Sequence, residues 1–200
     1  MSHTSILLDY TTNAFIVRKN KVLLVFNTDY NSWFGPGGHI EKDEDVETCL
    51  FREIYEETGI KKKDLKFVTQ NSKSSQDIFS DMQGKFLSNP NYIDVHRVSN
   101  THEHLAFRYF LETDKDFTES VDKSVTNLKW FTLSELENPK YNLKKHVRFY
   151  AKESLNLVNS IETEEILKDK KLVASIRRAE KEIAQGKWHD WKVVKKELGI

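Results

Sequence analysis

The chain has 200 residues, 38% of them hydrophobic and 12% aromatic, and 31 Lys and Arg balance 31 Asp and Glu. That suits one domain of ordinary size, or one domain with an appendage, and zero net charge speaks against a protein held mainly by the nucleic-acid backbone, which favours a basic excess. One cysteine, Cys49, excludes an intramolecular disulfide; the absence of an 18-residue apolar run, and of a basic stretch in MSHTSILLDYTTNAF, makes a cytoplasmic protein the expectation.

In chain order, the β-rich runs at 14–17 and 22–26 flank the polar turn 18–21 and predict a hairpin. Residues 35–38, Gly-Pro-Gly-Gly, predict a specialised loop without regular structure. Val46, Leu50 and Ile54, four apart, predict a helix over 45–58 with Gly59 as its C-cap. A strand at 65–69 precedes a polar stretch, 70–91, of a length that is usually functional or disordered. Strands follow at 92–99 (YIDVHRVS), 104–111 (HLAFRYFL) and 128–131 (LKWF), with a helical turn from Thr132. Leu143, Val147, Ala151 and Leu155 mark an amphipathic helix. After about residue 160 two apolar stripes, Leu172–Ile176–Ala179–Ile183 and Trp191–Val194–Leu198, predict a helical hairpin too small to fold alone. The order of elements predicts an α+β sandwich of helices on a mixed sheet, with a main domain over 1–158 and a helical extension over 159–200.

Chemistry concentrates between residues 38 and 60. Glu41, Asp43, Glu44, Asp45 and Glu47 crowd one loop, and Glu53, Glu56 and Glu57 follow on the helix. At about 100° per residue, the last three share an arc of roughly 100° with Arg52 at its edge. Converging anions raise one another's pKa unless a cation neutralises them. A hard divalent ion, Mg²⁺ or Mn²⁺, is the natural occupant. Arg52 would brace a carboxylate, and the glycines would let backbone approach the same place. A merely solvated acidic face accounts for Glu56 and Glu57, but not for Arg52, Glu44 and the glycine loop together.

Gly38, five residues, Glu44, seven residues, then Arg52-Glu53-Ile54-Tyr55-Glu56-Glu57-Thr58-Gly59-Ile60 resembles the Nudix box of the Nudix hydrolases at all nine defining positions. Phe34-Gly35-Pro36-Gly37 before the box, and LKWFTLSEL at 128–136, extend the resemblance over about residues 10–155. It implies a Nudix-type α/β/α sandwich and metal-dependent hydrolysis of a nucleoside diphosphate linked to another group. It also implies that Glu53, Glu56 and Glu57 hold the metals, with Gly37 or Gly38 offering a carbonyl. Arg52 would orient Glu53 and pair with Glu44, while Gly38 and Gly59 shape the loop and the helix end. One of the three glutamates, or a later loop carboxylate such as Glu103, would take the proton from water.

Substrate-binding candidates lie outside the box: Trp33 and Phe34 with Tyr30, as stacking or core aromatics, and His96, His102 and His104, for phosphate or a transition metal. Cys49 reads as packing. Residues 172–200 resemble helical segments of addiction-module antitoxins. Ten Lys and Arg against eight Asp and Glu over 162–200 leave no strong basic footprint there. The leading expectation is thus a hydrolase of a nucleotide-like small molecule. The alternatives are a non-catalytic nucleotide-binding module, or an antitoxin-like interaction protein acting on a protein partner through residues 160–200; otherwise that hairpin packs on the main domain or across a homodimer.

Overall fold

In a computed structural model of the chain, residues 7–68, 84–117 and 125–186 are described. Eight strands form one mixed sheet: β1 (Leu7–Arg18), β2 (Lys21–Asn27), β3 (Ser32–Phe34), β4 (Gly37–His39), β5 (Lys66–Phe67), β6 (Tyr92–Ser99), β7 (His102–Glu112) and β8 (Val125–Phe131). The helices are α1 (Val46–Thr58), α2 (Leu133–Leu136), α3 (Lys145–Lys168) and α4 (Lys170–Ala184).

β1 is the spine. It runs parallel to β7 from Leu7↔His102 to Val17↔Glu112. Its other edge pairs first with β4, through Thr11↔His39 to Asn13↔Gly37, and then with β2. The hairpin turn to β2 is tighter than the four residues predicted. Arg18 pairs with Lys21, and Lys19 and Asn20 both take positive φ, 47° and 58°, the twist-matched two-residue form. β6 and β5 share the far edge of β7.

One face of the sheet carries α1. Leu50 and Ile54 pack with Ala14, Ile16, Leu23, Ile60, Tyr109 and Leu111, all but fully buried. The other face carries the first half of α3, where Tyr150 meets Phe15 with ring centroids 5.6 Å apart and Val147, Ala151, Leu155 and Val158 are buried. Helices on both faces of a mixed sheet make the chain α+β, as its pattern predicts.

The glycine run departs from expectation, since Gly37–His39 forms a short strand and not an irregular loop. The backbone of β1 supplies the ladder, and bare glycines permit the approach: a Cβ on Gly37 would collide with the Thr12 carbonyl, and one on Gly35 with that of Ala14. Chain contacts separate two compact units, residues 1–158 and 159–200. Within the second, α4 is capped by Asp169, whose carboxylate accepts from Lys171 N and Leu172 N at 3.0 Å. Leu172, Ile176 and Ile183 of the predicted stripe are exposed. The second stripe, with Trp188 and Trp191, and most of the polar stretch 70–91 lie outside the described residues. Among those described, no helix is long and apolar enough to cross a membrane.

Candidate functional site

The site is built on α1. Asp45 caps its N-terminus, accepting from Glu47 N and Thr48 N at 3.0 Å. Gly59 closes the other end at φ 71°, its N–H donating to Tyr55 O, a conformation that suits glycine. These caps, with Cys49, Leu50, Ile54 and Thr58 buried beneath, leave the Arg52–Glu53–Glu56 face outward beside β4.

Arg52 organises that face. Its Nε and Nη2 donate to Glu44 Oε1 and Oε2 at 2.6 and 3.0 Å, a two-pronged pair. Nη1 donates to Glu53 Oε1 at 2.8 Å and Glu56 Oε2 at 3.1 Å, and Nη2 reaches the carbonyl of His39 at 3.4 Å. Hydrogen bonding to Arg52 holds the Glu44 carboxyl down at about 2, and the same contacts raise the guanidinium further. Glu57 turns inward, only 5% exposed, and accepts from Gly37 N at 2.9 Å. Gly38 lies so close to Glu53 that a Cβ there would meet its carboxylate. Three carboxylates, Glu44, Glu53 and Glu56, therefore meet one guanidinium, and Glu57 lies one turn from Glu53 on the same helix. The all-oxygen donor set of Glu53, Glu56 and Glu57 is of the kind that suits a hard divalent cation.

The cleft of about 600 Å³ that Glu53 and Glu57 line is also lined by Arg108, Lys144, His96 and His146, and by Arg97, whose guanidinium turns to Glu103. Arg108 is 7% exposed, so its charge needs a partner. Its Nε donates to Asp94 Oδ2 at 2.8 Å and its Nη1 to Asn13 Oδ1. Burial alone would raise the Asp94 carboxyl, but Arg108, His96 and Tyr150 bonded to it bring it down to about 2. At one end of the cleft stand Tyr30 and Phe34, ring centroids 5.8 Å apart, with Lys144 Nζ 4.8 Å from the Phe34 ring centroid.

The histidines divide. His96 and His104 line the cleft with His39, while His102 stands beside His104 over Asp9, ring centroids 4.8 Å apart. Burial, and then the neighbouring His39, His96 and His102, lower His104 to about 4. Glu103 lies on the opposite side of β7, where it accepts from Arg97 Nη2 at 3.2 Å, and does not line the cleft. Trp33 packs between Phe26 and Phe131, centroids 5.3 and 5.0 Å away, so it belongs to the core. Cys49 is fully buried, its Sγ donating to the His39 carbonyl, and burial pushes the thiol up to about 12.

Sequence reasoning passed over Arg108, Lys144, His146 and His39 as site residues. Only Arg108 carried a signal, a charge inside the apolar run AFRYFL. The other three are brought to the cleft by β4 and by the start of α3.

A NUDIX domain model matches residues 8–152. An RNA pyrophosphohydrolase of Haemophilus ducreyi is 42% identical over 62 residues, 30% of this chain and 32% of that protein. The Saccharomyces cerevisiae m7GpppN-mRNA hydrolase is 30% identical over 162 residues, 73% of this chain and 16% of the relative. A probable DHNTP pyrophosphohydrolase of Lactococcus lactis is 26% identical over 71% of this chain and 73% of its own. The chain thus spans about a third of the bacterial RNA pyrophosphohydrolase it matches. Among solved structures, a NUDIX-family hydrolase from Clostridium perfringens superposes with a TM-score of 0.62 at 27% identity, over 75% of this chain and 97% of that one.

Proposed function

The chain belongs to the NUDIX family, and on that premise we propose that it hydrolyses a phosphoanhydride bond in a nucleotide-like diphosphate. One observation carries the reading: a cleft is walled by Glu53 and Glu57, anchored by Arg52 and by Gly37 N, and by the cations Arg108 and Lys144. A substrate with two adjacent phosphoryl groups is complementary to both walls. Several curated relatives are named as pyrophosphohydrolases.

Mg²⁺ or Mn²⁺, held by Glu53, Glu56 and Glu57 with a carbonyl of Gly37 or Gly38, would neutralise the pyrophosphate and favour in-line displacement. The protein's own part is positioning. Arg52, gripped by Glu44, fixes the Glu53 and Glu56 carboxylates, and Gly37 N fixes Glu57. Arg108 and Lys144 bind phosphoryl oxygens from the other wall, and Phe34 and Tyr30 pack against the group beyond them. A carboxylate of the glutamate set accepts the proton of the attacking water. Residues 159–200 form the appended unit, and the exposed Leu172, Ile176 and Ile183 of α4 are its surface for a second copy or a protein partner.

The test is a panel of nucleoside triphosphates, dinucleoside polyphosphates, nucleotide sugars, ADP-ribose and 5′-triphosphorylated RNA. It is run with Mg²⁺ and Mn²⁺ in ¹⁸O-labelled water, and products are identified by mass. At least one substrate should be cut with label on a phosphoryl product, and Glu53→Gln and Glu57→Gln should each lower turnover by about 100-fold or more. A silent panel, or either variant turning over at the parent rate, overturns the reading.

A further inference from the structure

At the margin of the cleft, which His39 and His104 line, and on other strands than the glutamates of α1, three imidazoles and one carboxylate converge. Asp9 comes from β1, His39 from β4, and His102 and His104 from β7; adjacent registers, Asp9↔His104 and Thr11↔His39, bring them together. His39 Nε2 lies 3.2 Å from His104 Nε2 and 3.9 Å from Asp9 Oδ2, and His102 Nε2 lies 2.8 Å from Asp9 Oδ2. All four ligand atoms fall within 4.8 Å of one another. An ion bonded tetrahedrally at about 2.0–2.1 Å places its ligands roughly 3.3–3.4 Å apart, and the measured separations bracket that edge.

Hydrogen bonding alone leaves the group unsatisfied. A proton joins two of these atoms, not four. His102 Nε2 is buried, and its close approach to Asp9 is off the hydrogen-bond direction, so the atom has no hydrogen-bond partner. Three nitrogens and one oxygen are also the wrong donors for Mg²⁺ and the right ones for a borderline-soft ion.

We infer that Asp9, His39, His102 and His104 form a second metal site, selective for a Zn²⁺-class transition ion and distinct from the glutamate site of α1. Its position gives it a consequence. The carbonyl of His39 accepts from Cys49 Sγ and Arg52 Nη2, and its neighbours Gly37 and Gly38 touch Glu57 and Glu53. An ion on His39 fastens β4 to β1 and β7, and so holds in place the glycines against which the catalytic carboxylates rest.

The experiment uses the full chain without a histidine tag, stripped with chelator and titrated with Co²⁺, whose tetrahedral complexes absorb strongly in the visible. One Co²⁺ per chain should develop those bands, and Zn²⁺ should abolish them. A Glu53→Gln/Glu57→Gln double variant should keep the bands unchanged. His39→Ala, His102→Ala and His104→Ala should each weaken binding by more than about 100-fold, beyond the 10- to 100-fold that loss of an outer partner costs. The His39 side chain is half exposed, so its removal leaves the fold intact, and circular dichroism checks this for each variant. Absence of bands in the parent, their survival in folded His39→Ala, or their loss with the glutamate pair each overturns the inference. The glutamate site is judged by turnover, so either conclusion can fail without the other.

Discussion

The Glu44–Arg52 pair is where the architecture is most open to measurement, through Glu44→Gln. The substitution keeps the shape of the side chain but replaces a charged acceptor by a neutral one, weakening the bonds at 2.6 and 3.0 Å. Holding the carboxyl at about 2 instead of 4.5 corresponds to about 3 kcal/mol. Solvent reaching the guanidinium, whose side chain is 27% exposed, reduces that to about 2 kcal/mol. At neutral pH, Glu44→Gln should therefore melt about 4–8 °C below the parent. The sign with pH follows from linkage. The folded-state pKa is depressed, so the stabilisation is full above about 4.5 and fades as pH falls towards 2. By pH 3 the gap between parent and variant should shrink to less than half. Thermal melts followed by circular dichroism across pH 7 to 3 give both numbers. Equal melting temperatures at pH 7, or a gap that does not narrow on acidification, would refute the argument that Arg52 clamps Glu44.

The two central glycines should respond in opposite ways. Gly37→Ala, with its φ of 152° and the Thr12 carbonyl in its path, should lose about 3 kcal/mol of stability, whereas Gly38→Ala should melt nearly as the parent but lose about 100-fold in turnover, because Glu53 must yield. Unchanged turnover in a folded Gly38→Ala would show that the position of Glu53 is not critical. Trp33→Ala should cost about 3–5 kcal/mol through the cavity it leaves; Phe34→Ala should leave the melting temperature almost unchanged and raise KM several-fold for the substrate found in the panel. If the two exchange effects, the assignment of core and cleft aromatics is reversed. Cys49, pushed up to about 12 by burial, should resist maleimide at pH 8 in the native protein and react fully in denaturant; rapid native labelling would contradict its burial.

Much of this was legible because it is local. The spacing of Val46, Leu50 and Ile54, with Asp45 before and Gly59 after, determines α1 through short-range rules, and the grouping of Arg52 with Glu53, Glu56 and Glu57 follows from the helical repeat. β4 was not legible: its glycines carry no strand propensity, and it exists because β1 offers a ladder to pair with. The polar first half of β1, DYTTN, was missed for the same reason, since backbone pairing with β7 and β4 defines it and not side-chain alternation. Arg108 with Asp94, and Asp9 with the three histidines, depend on which strands lie side by side and in which register. No pattern within a single segment carries that information. Trp33 stood equally for core and cleft until the sheet placed Phe26 and Phe131 around it.

Glu44, Arg52, Glu53, Glu56 and Glu57 lie within one short span of chain on α1 and the turn before it, whereas Arg97, Arg108, Lys144 and Tyr30 come from segments scattered across more than a hundred positions. This separation bears on descent. Under the proposed function, a gene copy that drifts at Lys144 or Tyr30 would inherit the glutamate set whole and alter what it accepts, while a change inside the compact span would strike the reaction itself. Lineages built on this arrangement should therefore diversify in the molecules they cut long before they diversify in how they cut them.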